Sequence, residues 1–269
     1  MEKLTFTTKN TAPVDVFTVV NSCNGLVCLS GYKEESSLIV CNPLLHEYIK
    51  FPLPSNKKWG DFAALGFSSV TNEYKLLRIF SPDWRNYTNN RQAEVYTISS
   101  GVWRSIGNAP TDKAILPFNS FLHGAIHFAP IDSRGSSLIH SFDFEREKFQ
   151  ALPPPSSDQA LPPPSSDQLK LKLRSNRGGI SLGVWESRLS YCVFDVHATK
   201  FDLWIMKEYG VQESWIKALV VENMFPTERS ITEFYEPVMY LRGGEILTAY
   251  NDRIIVSYNP KTKTFKKQK

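Results

Sequence analysis

The chain has 269 residues, 42% of them apolar, 13% aromatic and 22% charged, with a net charge of +4. This is an ordinary globular composition that excludes a collagen-like or charge-dominated disordered chain, and no run approaches the ~20 apolar residues of a membrane helix. Five lysines (Lys261, Lys263, Lys266, Lys267 and Lys269) crowd the last nine residues, and without them the balance is −1; the basicity belongs to the tail and suits a lysine-protected edge strand better than a nucleic-acid face.

The opening MEKLTFTTKN lacks the apolar core of a signal peptide. Residues 1–15 are expected to form an extension, and the protein to be cytoplasmic, nuclear or both. Four β-type runs follow: VFTVV (16–20), LVCLS (26–30), LIVCN (38–42) and YIKF (48–51). Asn24-Gly25 between the first two is a strong hairpin signal, because both turn positions need positive φ. A second group reads AALGFS (63–68), YKLLRIF (74–80), AEVYTI (93–98) and VWRSI (102–106). The third opens with a weak strand near 115–118 and continues as GAIHFAP (124–130), SLIHSFDF (137–144) and KFQAL (148–152). The fourth is GISLGVW (179–185), RLSYCVFD (188–195), FDLWIM (201–206) and SWIKALVV (214–221). The fifth is PVMYL (237–241), EILTAY (245–250), RIIVSY (253–258) and TFKK (264–267). No stretch keeps a helical period over three turns. Between the third and fourth groups ALPPPSSDQ occurs twice in succession, at 151–159 and 160–168. Three prolines in a row fix φ and remove donors, so 151–178 reads as an extended proline-rich loop within one domain spanning 16–269. Two readings stay open for it: a duplication tolerated in a surface loop, or a docking site for a proline-reading module.

One phrase recurs through these groups: a β-type run, a few turn residues, then an aromatic that opens the next run. It reads VCNPLLHEY (40–48), VYTISSGVW (95–103), SFDFEREKF (141–149), LWIMKEYGVQESW (203–215) and VSYNPKTKTF (256–265). The anchors Tyr48, Trp103, Phe149, Trp215 and Phe265 lie 55, 46, 66 and 50 residues apart. Self-similarity at this period predicts an all-β, kelch-like β-propeller of about five four-stranded blades, or six if strands are missing at the N-terminus.

The same phrases resemble the F-box-associated domain of plant F-box proteins (type 1, the S-locus F-box-like group). SCNGLVCL (22–29) and CNPLLHEYIKFPLP (41–54) are similar to the family's opening signature, and ALGFSSVTNEYKLLRIF (64–80) and AEVYTISSGVWRSI (93–106) to its second and third motifs. FLHGAIHFAP with SLIHSFDFEREKFQALPPP is similar to its middle, FDLWIMKEYGVQESWIKAL (201–219) to its late motif and EILTAYNDRIIVSYNPKTKTFK (245–266) to its end. The resemblance implies a domain that selects target proteins for a cullin-based SCF ubiquitin ligase. The ligase adaptor would be a partner only if an F-box is present in the full-length product. The residues before the first signature do not read as an F-box, so this chain is expected to be the recognition half alone.

In a four-stranded meander the turns joining strands one to two and three to four share one end, and the remaining connections share the other. The long excursions (54–61, 81–92, 131–136, 156–178 and 222–236) all fall on the second end. Recognition concentrates on long loops of a rigid scaffold. Trp59, Trp84, Arg85, Tyr87, Arg91, Arg134, Phe225 and Arg229 are the candidate protein-binding anchors there, since Trp, Tyr and Arg are the usual energetic centres of interfaces. Trp103, Trp185, Trp204 and Trp215 sit in strands and are expected to pack within the sheets.

The chemistry-bearing residues do not assemble into a catalytic pattern. Cys23, Cys28, Cys41 and Cys192 fall in β-type runs without CxxC spacing and are expected in the core, reduced. Of the five histidines only His123 and His127 stand near each other, which falls short of a metal site. Asp143 and Asp195 lie near strand ends, where aspartate commonly serves a turn. GFSSV lacks the second glycine of a nucleophile elbow. No enzyme activity, cofactor, metal, nucleic acid or membrane partner is expected. Two alternatives to target recognition stay open: a carbohydrate-binding propeller, and an interaction module that competes for the target without an F-box.

Overall fold

In the structure, a computed structural model, the described residues are 2–3, 17–31, 38–51, 60–82, 91–110, 120–129, 138–156, 180–195, 200–221, 235–240, 245–250 and 254–267. β-branched and aromatic residues recur between turn residues, and they fold as strands throughout; no α-helix occurs among the described residues. The first sheet runs β2 (Phe17–Cys23), β3 (Leu26–Gly31), β4 (Leu38–Asn42) and β5 (Glu47–Phe51), and the short β1 (Glu2–Lys3) pairs on the outer edge of β5. The second is β6 (Gly60–Ser68), β7 (Glu73–Phe80), β8 (Gln92–Thr97) and β9 (Val102–Asn108). The third is β10 (Ser120–Leu122), β11 (Ala125–Phe128), β12 (Ile139–Asp143) and β13 (Lys148–Leu152). The fourth is β14 (Ile180–Trp185), β15 (Arg188–Asp195), β16 (Lys200–Met206) and β17 (Trp215–Val221). The fifth is β18 (Tyr235–Tyr240), β19 (Ile246–Tyr250), β20 (Ile254–Asn259) and β21 (Thr264–Lys267). Apart from the β1–β5 pairing, every sheet is a meander of consecutive strands, and the lysine-bearing β21 is an edge strand. The first strand of the third sheet stands at Ser120–Leu122, directly before the His123-Gly124 turn; the run 115–118 lies outside the described residues.

Burial falls across a sheet. Lys75–Phe80 of β7, Ala93–Tyr96 of β8 and all of β11 are buried on both faces, whereas β9 and β13 are largely exposed. Middle strands covered on both sides read as continuous apolar runs, and only an outer strand shows alternation.

The chain divides into two compact units, Met1–Pro130 with His140–Ala151, and Ile131–Ile139 with Leu152–Lys269. In the first, β2 lies against β6, β6 against β11 and β10 against β2, so the leading strands of three sheets meet. Leu65 and Leu76 pack with Cys23, Cys28, Val40 and Phe51, and Phe62, Ile79 and Val95 with Ile126, Phe128, Phe142 and Phe144. Gly66 makes the second junction possible: a Cβ there would stand 2.1 Å from the Phe144 ring. Two polar fastenings reinforce these seams. The buried Asn21 amide donates to the Leu65 carbonyl and accepts from the Leu65 N–H, both at 2.8 Å. The buried Lys75 ammonium donates to the Phe144 carbonyl at 3.1 Å and to Glu147 at 2.9 Å, and Arg104 closes on the other Glu147 oxygen. In the second unit β14 lies against β18. Trp204 and Trp215 are buried there as strand-packing residues; Lys217 sits 4.7 Å from the Trp204 ring centroid and 3.0 Å from Asp202.

The recurring phrase is a turn. Asn42, Thr97, Asp143, Met206 and Asn259 each stand at or next to the end of the third strand of their sheet. Four residues on, His46, Gly101, Glu147, Gly210 and Lys263 all have φ between 53° and 83°. In the first, third and fifth sheets the leading Asn or Asp oxygen accepts two backbone N–H bonds, Asn42 from Leu44 and Leu45, Asp143 from Glu145 and Arg146, Asn259 from Lys261 and Thr262. The left-handed residue then reverses the chain, and the aromatic anchor follows two positions later. Only the fourth sheet departs, with a 3-10 turn at Gln212–Ser214 delaying its anchor to Trp215. The tighter first turns use two positive-φ residues: Asn24-Gly25, His123-Gly124 and Glu186-Ser187.

Two outcomes follow from this geometry. Ser187 holds a φ of 60° without being glycine; Ser187→Gly is expected to raise stability by ~1 kcal/mol in urea unfolding. Burial pushes the Glu147 carboxyl up, but the Arg104 and Lys75 hydrogen bonds and charges outweigh it and hold it below its ordinary value. A carboxylate with a depressed folded-state pKa contributes stability above its unfolded pKa and loses it as pH falls through the folded value. Stability should therefore decline below about pH 4.5; Glu147→Gln should flatten that acid limb and cost ~1–2 kcal/mol at pH 7.

Candidate functional site

Gly60, Phe80, Gln92 and Asn108 are successive cross-strand partners, so they form the last row at one end of the second sheet. This is the end opposite its tight turns. The connection 81–91 leaves from Phe80 and returns at Gln92, and residue 59 enters at Gly60. Trp59, Trp84, Arg85, Tyr87 and Arg91 thus all belong to chain that leads into or out of this row. Arg134 belongs to the β11–β12 connection of the third sheet, and Phe225 and Arg229 to the connection between β17 and β18. In chain order, five of the eight candidates belong to connections that begin or end at this row, and three to connections of other sheets.

Arg91 alone among the eight lies within the described residues, and it is buried, 7% exposed. Its carbonyl accepts from the Ala109 N–H at 2.8 Å, which extends the β8–β9 ladder one step past the row. Arg91 is therefore part of the support and not an exposed anchor; its position one residue before an apolar strand is the reason. Trp59, Trp84, Arg85, Tyr87, Arg134, Phe225 and Arg229 lie outside the described residues.

Two residues beneath the row sits a layer of buried charge. Arg78 and Glu94 are direct cross-strand partners, 1% and 5% exposed, with Nη1 to Oε2 at 3.8 Å. The Arg78 guanidinium carbon lies 4.8 Å from the Phe80 ring centroid. A charge pair of opposite sign in low dielectric is costly to separate, so it fixes the register of β7 on β8 and the position of the row above. The sequence carries a signal for it: an arginine inside the apolar run YKLLRIF and a glutamate inside AEVYTI.

Elsewhere the reactive residue types serve packing. Burial pushes the Cys23 and Cys28 thiols up to about 12 and raises Cys41 as well, so they are neutral core side chains. Cys192 is also buried and takes part in no disulfide. His127 is fully buried, its Nδ1 3.0 Å from the Ser120 carbonyl, and burial lowers its pKa to about 4. His140 packs on the Phe128 ring and is likewise held low by burial. His123 forms the β10–β11 turn. Asp143 has the turn role described above, and Asp195 carries no described side chain. Among the described residues no group of three or more His, Cys, Asp or Glu stands close enough to hold a metal ion. Among them also, no helix is long and apolar enough to cross a membrane.

Antiparallel four-stranded meanders with short turns at one end and long connections at the other place the chain in the all-β propeller class. Residues 1–266 match the F-box associated beta propeller domain, and the chain belongs to that family. Its relatives include an F-box protein of Arabidopsis thaliana, 29% identical over 97% of this chain and 68% of the relative. An F-box/kelch-repeat protein of the same plant is 22% identical over 91% of this chain and 62% of its own length. The Arabidopsis F-box protein CPR1 is 24% identical over 95% and 63%. The chain thus spans about two thirds of the relatives it matches. Among solved structures it is similar to the Aleuria aurantia lectin, 11% identical over 94% of this chain and 76% of that one, with a TM-score of 0.48.

Because all four cysteines are buried thiols outside any disulfide, a thiol reagent should find none in the native protein and four after unfolding in guanidinium. Rapid native labelling of even one would contradict the packing described here.

Proposed function

We propose that this chain is the target-recognition part of a plant F-box protein, selecting proteins for ubiquitination by an SCF-type ligase, with residues 16–269 acting as one recognition domain. Membership of the family supports the role. The observation that carries the choice of site is the convergence of Trp59, Trp84, Arg85 and Tyr87 on connections rooted in the end row Gly60, Phe80, Gln92 and Asn108. A row pinned by a buried ion pair gives the long connections fixed roots, and aromatic and arginine side chains on them would supply binding energy. Arg134, Phe225 and Arg229 extend the reading to the connections of other sheets. An F-box in the same polypeptide would carry the link to the ligase adaptor, in the cytoplasm, the nucleus or both.

The test fuses an F-box to this chain and identifies proteins whose ubiquitination depends on it. Trp59→Ala, Trp84→Ala, Arg85→Ala and Tyr87→Ala combined should lower target capture at least ten-fold with the β circular-dichroism spectrum unchanged. Leu44→Ser with Leu45→Ser, at an exposed tight turn of the first sheet, should leave it intact. The opposite pattern would move the site to the tight-turn end.

A further inference from the structure

The last hairpin of the fifth sheet is the only one of the five such hairpins whose charges are all of one sign. The hairpins β4–β5, β8–β9, β12–β13 and β16–β17 each hold at least one carboxylate, Glu47, Glu94, Asp143 and Asp202 among them. From Ile254 to Lys267 there are four lysines, Lys261, Lys263, Lys266 and Lys267, and no Asp or Glu. Elsewhere cations are absorbed by close partners: Lys75 and Arg104 on Glu147, Arg146 on Asp143, Lys217 on Asp202. Lys261, Lys263 and Lys266 are exposed, and their ammonium groups have no carboxylate partner among the described residues. The turn that displays them is ordered. Asn259 Oδ1 accepts from the N–H of Lys261 and of Thr262, and Lys263 takes the left-handed φ of 56° that returns the chain into β21.

These cations flank an open strand edge. β21 pairs with β20 on one side, Ser257 opposite Lys266 and Tyr258 opposite Phe265, and with no strand on the other among the described residues. The outer edge of β5, by contrast, is taken by β1. An edge strand offers backbone N–H and C=O groups to any extended chain of compatible charge. Lysines there repel a second copy of the same edge and attract an acidic one, so one set of groups both excludes and selects. We infer that β21 is a docking edge for an extended acidic segment of a partner protein, which adds to the sheet with its carboxylates set against Lys261, Lys263 and Lys266. A polypeptide fits better than a nucleic acid. The cations are confined to one short hairpin, whereas phosphate tracking needs them spread over a face, and the free backbone edge is a partner only for another backbone. Each exposed ion pair strengthens binding by at most about five-fold, so the strand bonds supply the rest. The edge belongs to none of the connections assigned to target recognition, and binding there does not depend on the ligase role.

The test titrates the full chain with a short blocked peptide that alternates glutamate and valine, read by fluorescence anisotropy. Affinity should fall about ten-fold between ~20 and ~200 mM salt, because the paired charges are exposed and screened. Lys261→Gln, Lys263→Gln and Lys266→Gln combined should weaken binding by about ten-fold or more. All three lysines are exposed, so the β circular-dichroism spectrum should not change. Strand pairing is read separately, with every charge kept. Successive N–H groups of a strand point to opposite edges. Of two peptides, one methylated on its glutamate nitrogens and one on its valine nitrogens, one should therefore bind about ten-fold more weakly and the other nearly as the parent. Two methylated peptides that bind alike overturn the inference, as does undiminished binding by the glutamine variant or no binding of the parent peptide at low salt. Tighter binding of a single-stranded oligodeoxynucleotide of equal charge also overturns it and assigns the lysines to nucleic acid.

Discussion

A left-handed residue four positions after the leading turn residue is the constraint on which this fold rests. Positive φ costs an L-residue energy, and a sequence adopts it repeatedly only where the surrounding contacts enforce it. Here five hairpins obey it with four residue types, at His46, Gly101, Glu147, Gly210 and Lys263. Glycine is not what they share. In three of them a carboxamide or carboxylate oxygen receives two backbone N–H groups and preorganises the reversal. The β6–β7 turn follows the same rule, with the Ser68 hydroxyl accepting from Thr71 N–H and Asn72 at a φ of 54°. Once the reversal is fixed, the aromatic two residues later falls on the returning strand in a repeatable register, and the sheets acquire a common plan.

Glu147 shows how one residue can serve both levels of structure. Its backbone supplies the left-handed turn of the third sheet, and its side chain reaches back to Lys75 and Arg104 of the second. Lys75 in turn satisfies the Phe144 carbonyl, whose own ring fills the space that Gly66 leaves open. Asn21 does for the first seam what Lys75 does for the second. Leading strands brought together by apolar burial can slide; buried polar groups with directional partners cannot without losing them. The seams of the first unit combine both kinds of contact.

Much of this was legible from residues alone, and what was not has a physical reason. Strands β13, β15 and β21 begin and end where their β-type runs do, and a left-handed turn directly precedes each of them. The first strand of the third sheet is displaced from its expected place because three residues, Ser-Phe-Leu, carry too little pattern to be recognised; the His-Gly turn after them was the better marker. Arg91 read as an anchor because arginine in a connection usually faces solvent, whereas one position outside a strand the ladder draws it in. The inter-sheet fastenings had no local signature at all, since Lys75 and Glu147 are 72 residues apart. The other candidate anchors were chosen by residue type and connection length, and they lie outside the described residues.

The departures from the repeat deserve more weight than the repeat itself. In three hairpins with the shared plan, two turn N–H donors are used locally by the leading Asn or Asp oxygen. The fourth sheet's three-residue 3-10 turn delays its aromatic and turns the Trp215 indole N–H toward a different segment of the chain. A buried indole donor needs an acceptor, and a run of prolines is well suited to provide one, because its carbonyls are not used by neighbouring N–H groups of the same run. Insertion and proline segment therefore complement each other chemically although 58 residues separate Gln212 from Pro154. The same logic holds at the end of the second sheet, where the long 81–91 connection replaces a tight turn and the strands beneath it carry an arginine and a glutamate in place of apolar side chains. In both places buried polar groups stand where the chain does something other than repeat.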